Sequence, residues 1–373
     1  MPTTLRSFSK INLGLAIGPL RADGFHALTT LYQTLAAHDL VTVTLRPATP
    51  SSISLTCSDD RVPCDERNTA FKAVRLSLEA LGATADVTIH IEKRLPVQGG
   101  LGAGSANAAA ALLALDRELK NHGLNSLSGP ERLRIATEVG SDVPLFLIGG
   151  AVLGVSHGEE DYPLPDFPHT LCVIALPEIG VSTPQAFRDW DARHGGESPE
   201  GNPERNMRPP FASWNVGPMA DPSSSSQLTP VPPSSTLKGL SRSLASAFCE
   251  PHSSGVFASG ENLAENPANS FAEMNPLLAL VRTGIENDFE EVVFSQNPLF
   301  GTIKRALAGS ANPEHAAIYA ALSGSGSALF GLYATEAAAD AAEERLAKLE
   351  VRSMRTQTLT REEYWRQMAG EVS

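Results

Sequence analysis

The chain has 373 residues, of which 42% are hydrophobic and 19% charged, and its 42 acidic residues outnumber its 29 lysines and arginines to give a net charge of −13. A disordered chain would be poorer in apolar residues, and a protein that binds a nucleic-acid backbone needs a basic face, so both classes are disfavoured. At roughly 150 residues per domain, the length predicts two domains.

The cysteines and the apolar segments bear on the location of the protein. None of the cysteines forms a C-x-x-C pair or has the spacing of a zinc site, so we interpret them as reduced thiols: Cys57, Cys64, Cys172 and Cys249. The longest nearly apolar run, Val143–Val155, is too short for a membrane span of about 20 residues. Ile11–Leu20 only faintly resembles a signal peptide, because it lacks a small-residue cleavage site. We therefore expect a cytoplasmic protein without a membrane segment.

Strands and helices alternate in the first half of the chain. Alternation of apolar and polar residues, as in Val41, Val43 and Leu45 against Thr42 and Thr44, predicts the strands Leu5–Ile17, Leu40–Leu45, Ile53–Cys57 and Val87–Ile91. Apolar residues spaced by three or four predict the helices Thr69–Leu81, Ser105–Lys120 and Gly129–Val139. A further apolar strand is expected after Gly140-Ser-Asp-Val-Pro144.

The second half contains a long segment of different composition. Ten of the 27 prolines lie between Asp191 and Gly260, and half of residues 221–260 are Ser, Pro or Gly, so we predict a flexible insertion at 191–266, with one short helix at Leu237–Phe248. Around it the pattern predicts the strands Leu171–Leu176, Ala317–Leu322, Ala328–Tyr333 and Val351–Thr358. It also predicts the helices Pro184–Trp190, Leu277–Glu286, Pro298–Ala308 and Glu336–Leu349.

The strongest local motif is the glycine-rich loop in Pro96-Val-Gln-Gly-Gly-Leu-Gly-Ala-Gly-Ser-Ala-Asn-Ala-Ala109, between a strand and an alanine-rich helix. A helix start leaves backbone N–H groups unpaired, and glycines let the backbone approach a ligand, so the loop is typical of a phosphate site. Ser105 either caps the helix or binds a magnesium ion. The loop is neither a Walker A loop nor a G-x-G-x-x-G fingerprint, and a turn without a ligand stays open.

Three weaker signals accompany this loop. Lys10, in Lys10-Ile-Asn12, is either a solvated edge residue or a functional cation, and Asp142 is either a cap or turn residue or a catalytic base. Leu322-Ser-Gly-Ser-Gly-Ser-Ala-Leu-Phe-Gly331 is a second glycine loop, between two apolar strands. Two such loops in one chain suggest the two walls of one ligand cleft.

Taken together and in this order, the motifs resemble those of the GHMP small-molecule kinases. The segments that carry the resemblance are Ser9–Leu13, Arg21–His26, Leu31–Gln33, the first glycine loop, Gly140–Phe146 with Gly149-Gly150, Gly180–Thr183, Asn287–Glu290 and Leu322–Ser327. They span about 1–190 and 270–360. The resemblance implies two α+β domains, at 1–165 and 166–373, with the active site in the cleft between them and the insertion in the second domain.

The resemblance also implies a reaction and a set of roles. ATP, with Mg2+, would donate its γ-phosphoryl group to a hydroxyl of a cytidine diphosphate-linked methylerythritol, in the non-mevalonate route to isoprenoids. Asp142 would be the base and Lys10 its neighbouring cation. The ATP site would be formed by Pro96, Gly99, Gly100, Leu101, Gly102, Ala103, Gly104, Ser105 and Asn107, with Asn68 near the adenine and Ser105 on the metal. The substrate site would be formed by Asn12, Phe25, His26 and Phe187.

The sequence departs from the family pattern at several positions. Ala103 and Ala106 stand where glycine and serine are usual, Phe25 stands where tyrosine is common, and the insertion is longer than in the family. Two alternatives stay open: another GHMP kinase of the mevalonate or homoserine type, which Asp23-Gly-Phe-His26 disfavours, and a non-catalytic nucleotide-binding protein, which has no need of Lys10 and Asp142. The sequence leaves open whether two copies form a homodimer.

Overall fold

The computed structural model describes residues 2–21, 24–97, 99–156, 158, 160–194, 285–309 and 313–370. The strands are β1 Thr3–Leu20, β2 His26–Pro47, β3 Ser52–Cys57, β4 Ala85–Glu92, β5 Ala151–Ser156, β6 Glu160–Pro163, β7 Leu171–Leu176, β8 Tyr319–Leu322, β9 Leu329–Tyr333 and β10 Arg352–Gln357. The helices are α1 Thr69–Leu81, α2 Ala103–Asn121, α3 Gly129–Val139, α4 Thr183–His194, α5 Phe289–Gln296, α6 Leu299–Ala308, α7 Glu336–Ala347 and α8 Arg361–Met368.

A six-stranded sheet has the order β3-β4-β2-β5-β6, with β1 paired to β2. The β1–β2 pair is a long antiparallel hairpin with three register shifts, and β3 and β4 are parallel. The hairpin strands have 18 and 22 residues, far longer than the alternating segments of the sequence. The strand predicted at Leu5–Ile17 is confirmed within β1, and Leu40–Leu45 within β2. The part of β2 before Leu40 was missed, because its middle residues are buried without alternation.

Helices α1 and α2 pack on this sheet. Asn68 caps α1 and Gly82 follows its end, as the sequence pattern predicts for Thr69–Leu81. Small side chains on α2, among them Ala110, Ala111 and Ala114, pack in the same core as Val41 and Ile89 of the sheet. The alanine-rich composition therefore lets α2 pack closely against the sheet.

A four-stranded antiparallel sheet has the order β10-β7-β9-β8. Helices α5, α6 and α7 contribute Phe289, Ile303 and Ala339 to a core shared with Leu329 and other residues of this sheet. The strands predicted here are present, and so is α6. The helix predicted at Leu277–Glu286 lies mostly outside the described residues, and its last two residues are not helical. The insertion, apart from the end of α4, and its predicted helix Leu237–Phe248 also lie outside them.

The two sheets are joined at the centre of the molecule. Leu13 and Leu31 of the first sheet share a buried core with Ile174 and Phe330 of the second. From the C-terminal end, α8 returns to the first sheet, where the Tyr364 hydroxyl donates a 2.6 Å hydrogen bond to the carbonyl of Phe146. No helix within the described ranges is both long and apolar enough to cross a bilayer.

Candidate active site

Two neighbouring cavities lie where the sheets meet, and both are lined by Gly99 and Gly100. The first has a volume of about 790 Å³ and the second about 390 Å³. Besides these two glycines, the first cavity is lined by Lys10, Asn12, Leu15, Leu28, Thr30, Tyr32, Asp142, Gly180, Val181, Ser182, Thr183, Pro184, Phe187, Phe289, Gly324, Ser325 and Gly326. The second is lined in addition by Val62, Pro63, Arg67, Asn68, Thr69, Lys93, Pro96, Val97, Leu101, Gly102, Ala103, Gly104, Ser105 and Asn107.

Lys10 lies in the middle of β1 and is only 3% exposed, so its interpretation as a solvated edge residue is wrong. Its Nζ donates a 2.7 Å hydrogen bond to Asn12 Oδ1 and lies 3.5 Å from Asp142 Oδ2. Nζ also lies 5.3 Å from the centre of the Tyr32 ring. Burial lowers the pKa of Lys10, and the nearby Asp142 carboxylate opposes that shift.

Asp142 follows α3 and faces the first cavity, with its side chain 32% exposed. The Tyr32 hydroxyl donates a 3.1 Å hydrogen bond to Oδ1, while Oδ2 faces Lys10. The next element is a 3-10 turn at Pro144–Leu147 rather than a strand, and its cap position is Val143, so Asp142 does not cap it. An accessible carboxylate held from two sides can accept a proton from a bound hydroxyl group.

Asn12 is held by a short polar chain on the adjoining strand. Its Nδ2 donates to Thr30 Oγ1 at 2.7 Å, and the Thr30 hydroxyl donates to the carbonyl of Gly14 at 2.9 Å. These bonds turn Asn12 Oδ1 toward Lys10. Thr30 and Tyr32 were not found by sequence reasoning, although Tyr32 lies beside Asn12 in the β1–β2 register. The signal available for Tyr32 is the segment Leu31–Gln33, which carries the family resemblance, and the pairing of this segment with Asn12 gives it a place in the site.

The first glycine loop ends in the first turn of α2. The helix begins at Ala103 after Gly102, and no side chain caps it, so the expectation that Ser105 opens or caps the helix is wrong. Ser105 is the third residue of α2, within its first turn, and lines the second cavity. Ala106 lies in the buried core and lines neither cavity, so its missing hydroxyl leaves both cavity walls unchanged.

Two glycines of this loop are required by close contacts and by positive φ angles. A Cβ on Gly100, at φ +77°, would lie 2.1 Å from the carbonyl oxygen of Ser323. A Cβ on Gly102, at φ +70°, would lie 2.9 Å from Phe146 and 3.1 Å from Lys10 carbons. Gly102 therefore belongs to the packing around Lys10 as much as to the loop.

The amides predicted for the ATP site are held by the protein itself. Asn68 Oδ1 accepts from the N–H of Ala70 at 2.9 Å, and its Nδ2 donates to the carbonyl of Pro63. Asn107 is buried, accepts a hydrogen bond from Ser7 and donates one to Asp39. Both residues form the wall of the second cavity through fixed side chains.

The predicted substrate residues are only partly brought together. Phe187, on α4, lines the first cavity, and its ring stacks on that of His26 with centroids 5.6 Å apart and planes inclined by 6°. His26 Nδ1 lies 2.9 Å from the carbonyl of Gly18, and Nε2 lies 2.8 Å from Asp191 Oδ1. Phe25 is 54% exposed, and neither Phe25 nor His26 lines a cavity, whereas Asn12 and Phe187 line the first one. Ala22 and Asp23 of this motif lie outside the described residues.

The second glycine loop forms the opposite wall. Its Ser323 hydroxyl donates to the carbonyl of Gly100 at 3.0 Å, and the N–H of Ala328 donates to the carbonyl of Gly99 at 3.1 Å. Thr183, at the start of α4, lies 2.6 Å from the Ser325 hydroxyl. The two glycine loops are therefore in direct contact, as expected for two walls of one cleft. Among the residues that the structure describes, no group of three or more His, Cys, Asp and Glu is placed to hold a metal ion.

Comparison with protein families finds two matching models. Residues 68–150 match the GHMP kinases N terminal domain, and residues 261–351 match the GHMP kinases C terminal domain.

Several curated relatives are named 4-diphosphocytidyl-2-C-methyl-D-erythritol kinase. The protein of Solibacter usitatus is 32% identical over 336 residues, which cover 88% of this chain and 80% of the relative. That of Rhodococcus jostii is 38% identical over 205 residues, or 55% and 63% of the two chains. That of Mycobacterium marinum is 40% identical over 199 residues, or 52% and 60%. The chain thus spans about three fifths of these last two relatives.

Solved structures share the fold. A structure of 4-(cytidine 5'-diphospho)-2C-methyl-D-erythritol kinase matches with a TM-score of 0.59 and 25% identity, covering 95% of this chain and 99% of that one. Homoserine kinase from Cytophaga hutchinsonii matches with a TM-score of 0.61 and 20% identity, covering 96% and 95%. At that identity, the second match speaks for the fold alone.

Proposed function

Because the chain belongs to the GHMP kinase family of ATP-dependent small-molecule kinases, we propose that it phosphorylates a hydroxyl group of 4-diphosphocytidyl-2-C-methyl-D-erythritol. The observation that carries this proposal is the Lys10–Asp142 pair in the first cavity, beside the glycine wall that the two cavities share. The name of the relatives, one of them matched over 80% of its length, supports this acceptor.

The two cavities suit the two substrates. The second is lined by the glycine loop and the uncapped start of the 19-residue helix α2, where unpaired N–H groups and the helix dipole favour phosphate. The first contains a carboxylate, a buried cation and the aromatic ring of Phe187. ATP in the second cavity would direct its γ-phosphate toward Gly99 and Gly100, and the acceptor in the first would bring its hydroxyl to the same wall.

The chemical step needs a base and charge neutralisation. Asp142 accepts the proton of the acceptor hydroxyl while that oxygen bonds to the γ-phosphorus, and the bond from phosphorus to the bridging oxygen breaks to release ADP. The Tyr32 hydroxyl and the Lys10 ammonium hold the Asp142 carboxylate toward the cavity. When charged, Lys10 also offsets negative charge on the phosphoryl group during its transfer.

Magnesium in phosphoryl transfer is commonly held by phosphate oxygens, water and one or two protein groups, and it neutralises charge on the phosphates. The Ser105 hydroxyl fits this pattern, because it lines the second cavity in the first turn of α2. The absence of a cluster of acidic or histidine ligands among the described residues also fits an ion held chiefly by phosphates. We assign Ser105 as the protein ligand.

The acceptor is tested by a coupled assay for ADP release. The purified chain is supplied with ATP, Mg2+ and one acceptor at a time: the cytidine diphosphate-linked methylerythritol, mevalonate or homoserine. We expect turnover with the first alone. Turnover with mevalonate or homoserine instead would assign a different GHMP kinase activity, and no turnover with any of them would support a nucleotide-binding protein.

His26→Ala should raise the KM for the cytidine substrate about tenfold or more, with the KM for ATP within twofold of the parent value. The His26 ring lines neither cavity itself but stacks on Phe187, which lines the first one. Lost polar contacts to a buried ligand group cost about 1–3 kcal/mol. His90→Ala is the matched control, because His90 lies on β4 and lines neither cavity. A defect confined to ATP would place His26 on the nucleotide side.

Gly104→Val should weaken ATP binding about tenfold or more, measured by calorimetry. A Cβ at Gly104 has no atom nearer than Thr69 Oγ1 at 3.8 Å, so the side chain is accommodated but its methyl groups enter the second cavity. Gly129→Val, in the first turn of α3 with open space around it, is the matched control. Unchanged ATP affinity in folded Gly104→Val would mean that phosphates do not approach this turn.

A further inference from the structure

The segment 286–290 lies between the two sheets, and we call it the clasp. On one side it pairs with β1: the N–H of Leu15 donates to the carbonyl of Glu286, and the N–H of Asp288 donates to the carbonyl of Leu15, both at 3.0 Å. The carboxylate of Asp288 accepts a 2.7 Å hydrogen bond from the N–H of Ile17. The clasp is thus fixed to the strand that carries Lys10.

On its other side the clasp holds the second glycine loop. Asn287 is 3% exposed, and its Nδ2 donates to the carbonyls of Leu322 and Gly324 at 2.9 and 2.8 Å. Its Oδ1 accepts from the N–H of Phe289 at 3.0 Å. Glu290 adds a bond on the same loop, because its Oε1 accepts from the N–H of Leu322 at 2.8 Å. Every polar atom of the Asn287 amide therefore has a partner.

The loop position set by these bonds matters for the first cavity. A Cβ at Gly324 would lie 3.3 Å from Asn12 Oδ1 and 3.8 Å from Lys10 Nζ, so the loop backbone packs directly over this pair. Gly324, Ser325 and Gly326 line the same cavity as Asp142. A shift of this loop changes the space in which an acceptor hydroxyl meets the Asp142 carboxylate.

We propose that Asn287 is a positioning residue, whose amide sets the distance between the second glycine loop and the Lys10–Asn12 pair. Its kinetic consequence rests on the proposed function, whereas its structural consequence does not. An amide is needed because Nδ2 donates to two carbonyl oxygens, whereas a carboxylate offers acceptors alone and would face both carbonyls without a proton. Misplacement of reacting groups by about 1 Å can cost on the order of 100-fold in rate.

The test compares Asn287→Asp with the parent chain and with Asn297→Asp. Asn297 is a partly exposed residue at the end of α5, and its side-chain oxygen accepts a bond from the N–H of Leu299. Aspartate accepts the same bond, so this control makes the same chemical change without losing a donor. Hydrogen exchange of the loop amides 323–328 and steady-state kinetics are measured on each protein. We expect faster loop exchange and a 10- to 100-fold lower kcat/KM for the acceptor in Asn287→Asp alone.

ATP affinity separates positioning from general damage. Neither the clasp nor the second glycine loop lines the second cavity, which that loop touches only through Gly99 and Gly100 of the shared wall. ATP affinity should therefore fall much less than kcat/KM in Asn287→Asp, by threefold or less. Loop exchange and kcat/KM both at the level of Asn297→Asp would overturn the proposal, as would an equal loss of ATP affinity. Should Asn287→Asp not fold, Asn287→Ala gives the same comparison. Should the parent not use the cytidine acceptor, the proposed function fails and loop exchange still decides the role of Asn287.

Discussion

Asp142→Asn should lower kcat by about 10²–10⁴-fold, the usual contribution of general-base catalysis, with ATP affinity unchanged. Asparagine has the size of aspartate, and its amide oxygen can still accept the hydrogen bond from the Tyr32 hydroxyl at Oδ1. It cannot take up the proton of the acceptor hydroxyl. Because the change also removes the carboxylate beside the buried Lys10 ammonium, some loss of stability is expected, and kcat is compared on protein shown to be folded.

Single-turnover kinetics and calorimetry with ATP check this result. Asp86→Asn is the matched control, since Asp86 lies on β4, accepts a hydrogen bond from Ser52 and lines neither cavity. Its kcat should stay within twofold of the parent value. A kcat within a few-fold of the parent in Asp142→Asn would remove Asp142 from the chemistry and leave proton transfer to water.

Helices were predictable where the sequence marks both of their ends. Helix α1 has the predicted bounds, because the Asn68 cap and Gly82 frame an apolar period of three to four residues. Two short helices were missed for different reasons. Helix α5 has 8 residues, too few for a period to emerge. Helix α8 does carry a readable signal, the capping box formed by Thr360 and Glu363, which the sequence reasoning did not use.

The strands were predictable where one face is solvated, as in β4, where buried and exposed residues alternate. In β1 the alternation of larger apolar residues from Ile11 to Ile17 still marks the strand, whereas the part of β2 before Leu40 has buried middle residues on both faces and was not predicted. The same burial hid part of the site. Thr30 contacts Asn12, and Tyr32 contacts Asp142, because of the register of the β1–β2 hairpin. That register cannot be predicted from the local sequence alone.

The candidate site residues were predicted from the motifs, and the structure brings some of them together but not others. Lys10 and Asp142, 132 positions apart in the chain, face each other at 3.5 Å. Burial of Lys10 was not deducible, because a lysine between apolar residues is equally compatible with an exposed edge. Phe25 illustrates the converse: an aromatic side chain in a motif need not line a cavity, and here it is exposed.

Lys10→Met should lower kcat by about 10²–10³-fold, the range for removing one charge-stabilising donor from a water-poor site. Methionine fills a similar volume but supplies neither the bond to Asn12 Oδ1 nor a charge beside Asp142. Combined with Asp142→Asn, the loss should be much smaller than the product of the two single losses, because the two groups act as a pair.

The pH dependence of kcat tests the role of the Lys10 charge more specifically than the size of the kcat loss in Lys10→Met does. Burial lowers the pKa of Lys10, so the ammonium loses its proton at a pH below the ordinary lysine value of about 10.4. With Lys10 charged in the active form, kcat of the parent should fall on the alkaline side below that value. Lys10→Met should lack this fall, and Lys348→Met, at the exposed end of α7, should keep it. An alkaline limb that persists unchanged in Lys10→Met would show that another group titrates there and that Lys10 acts only by packing.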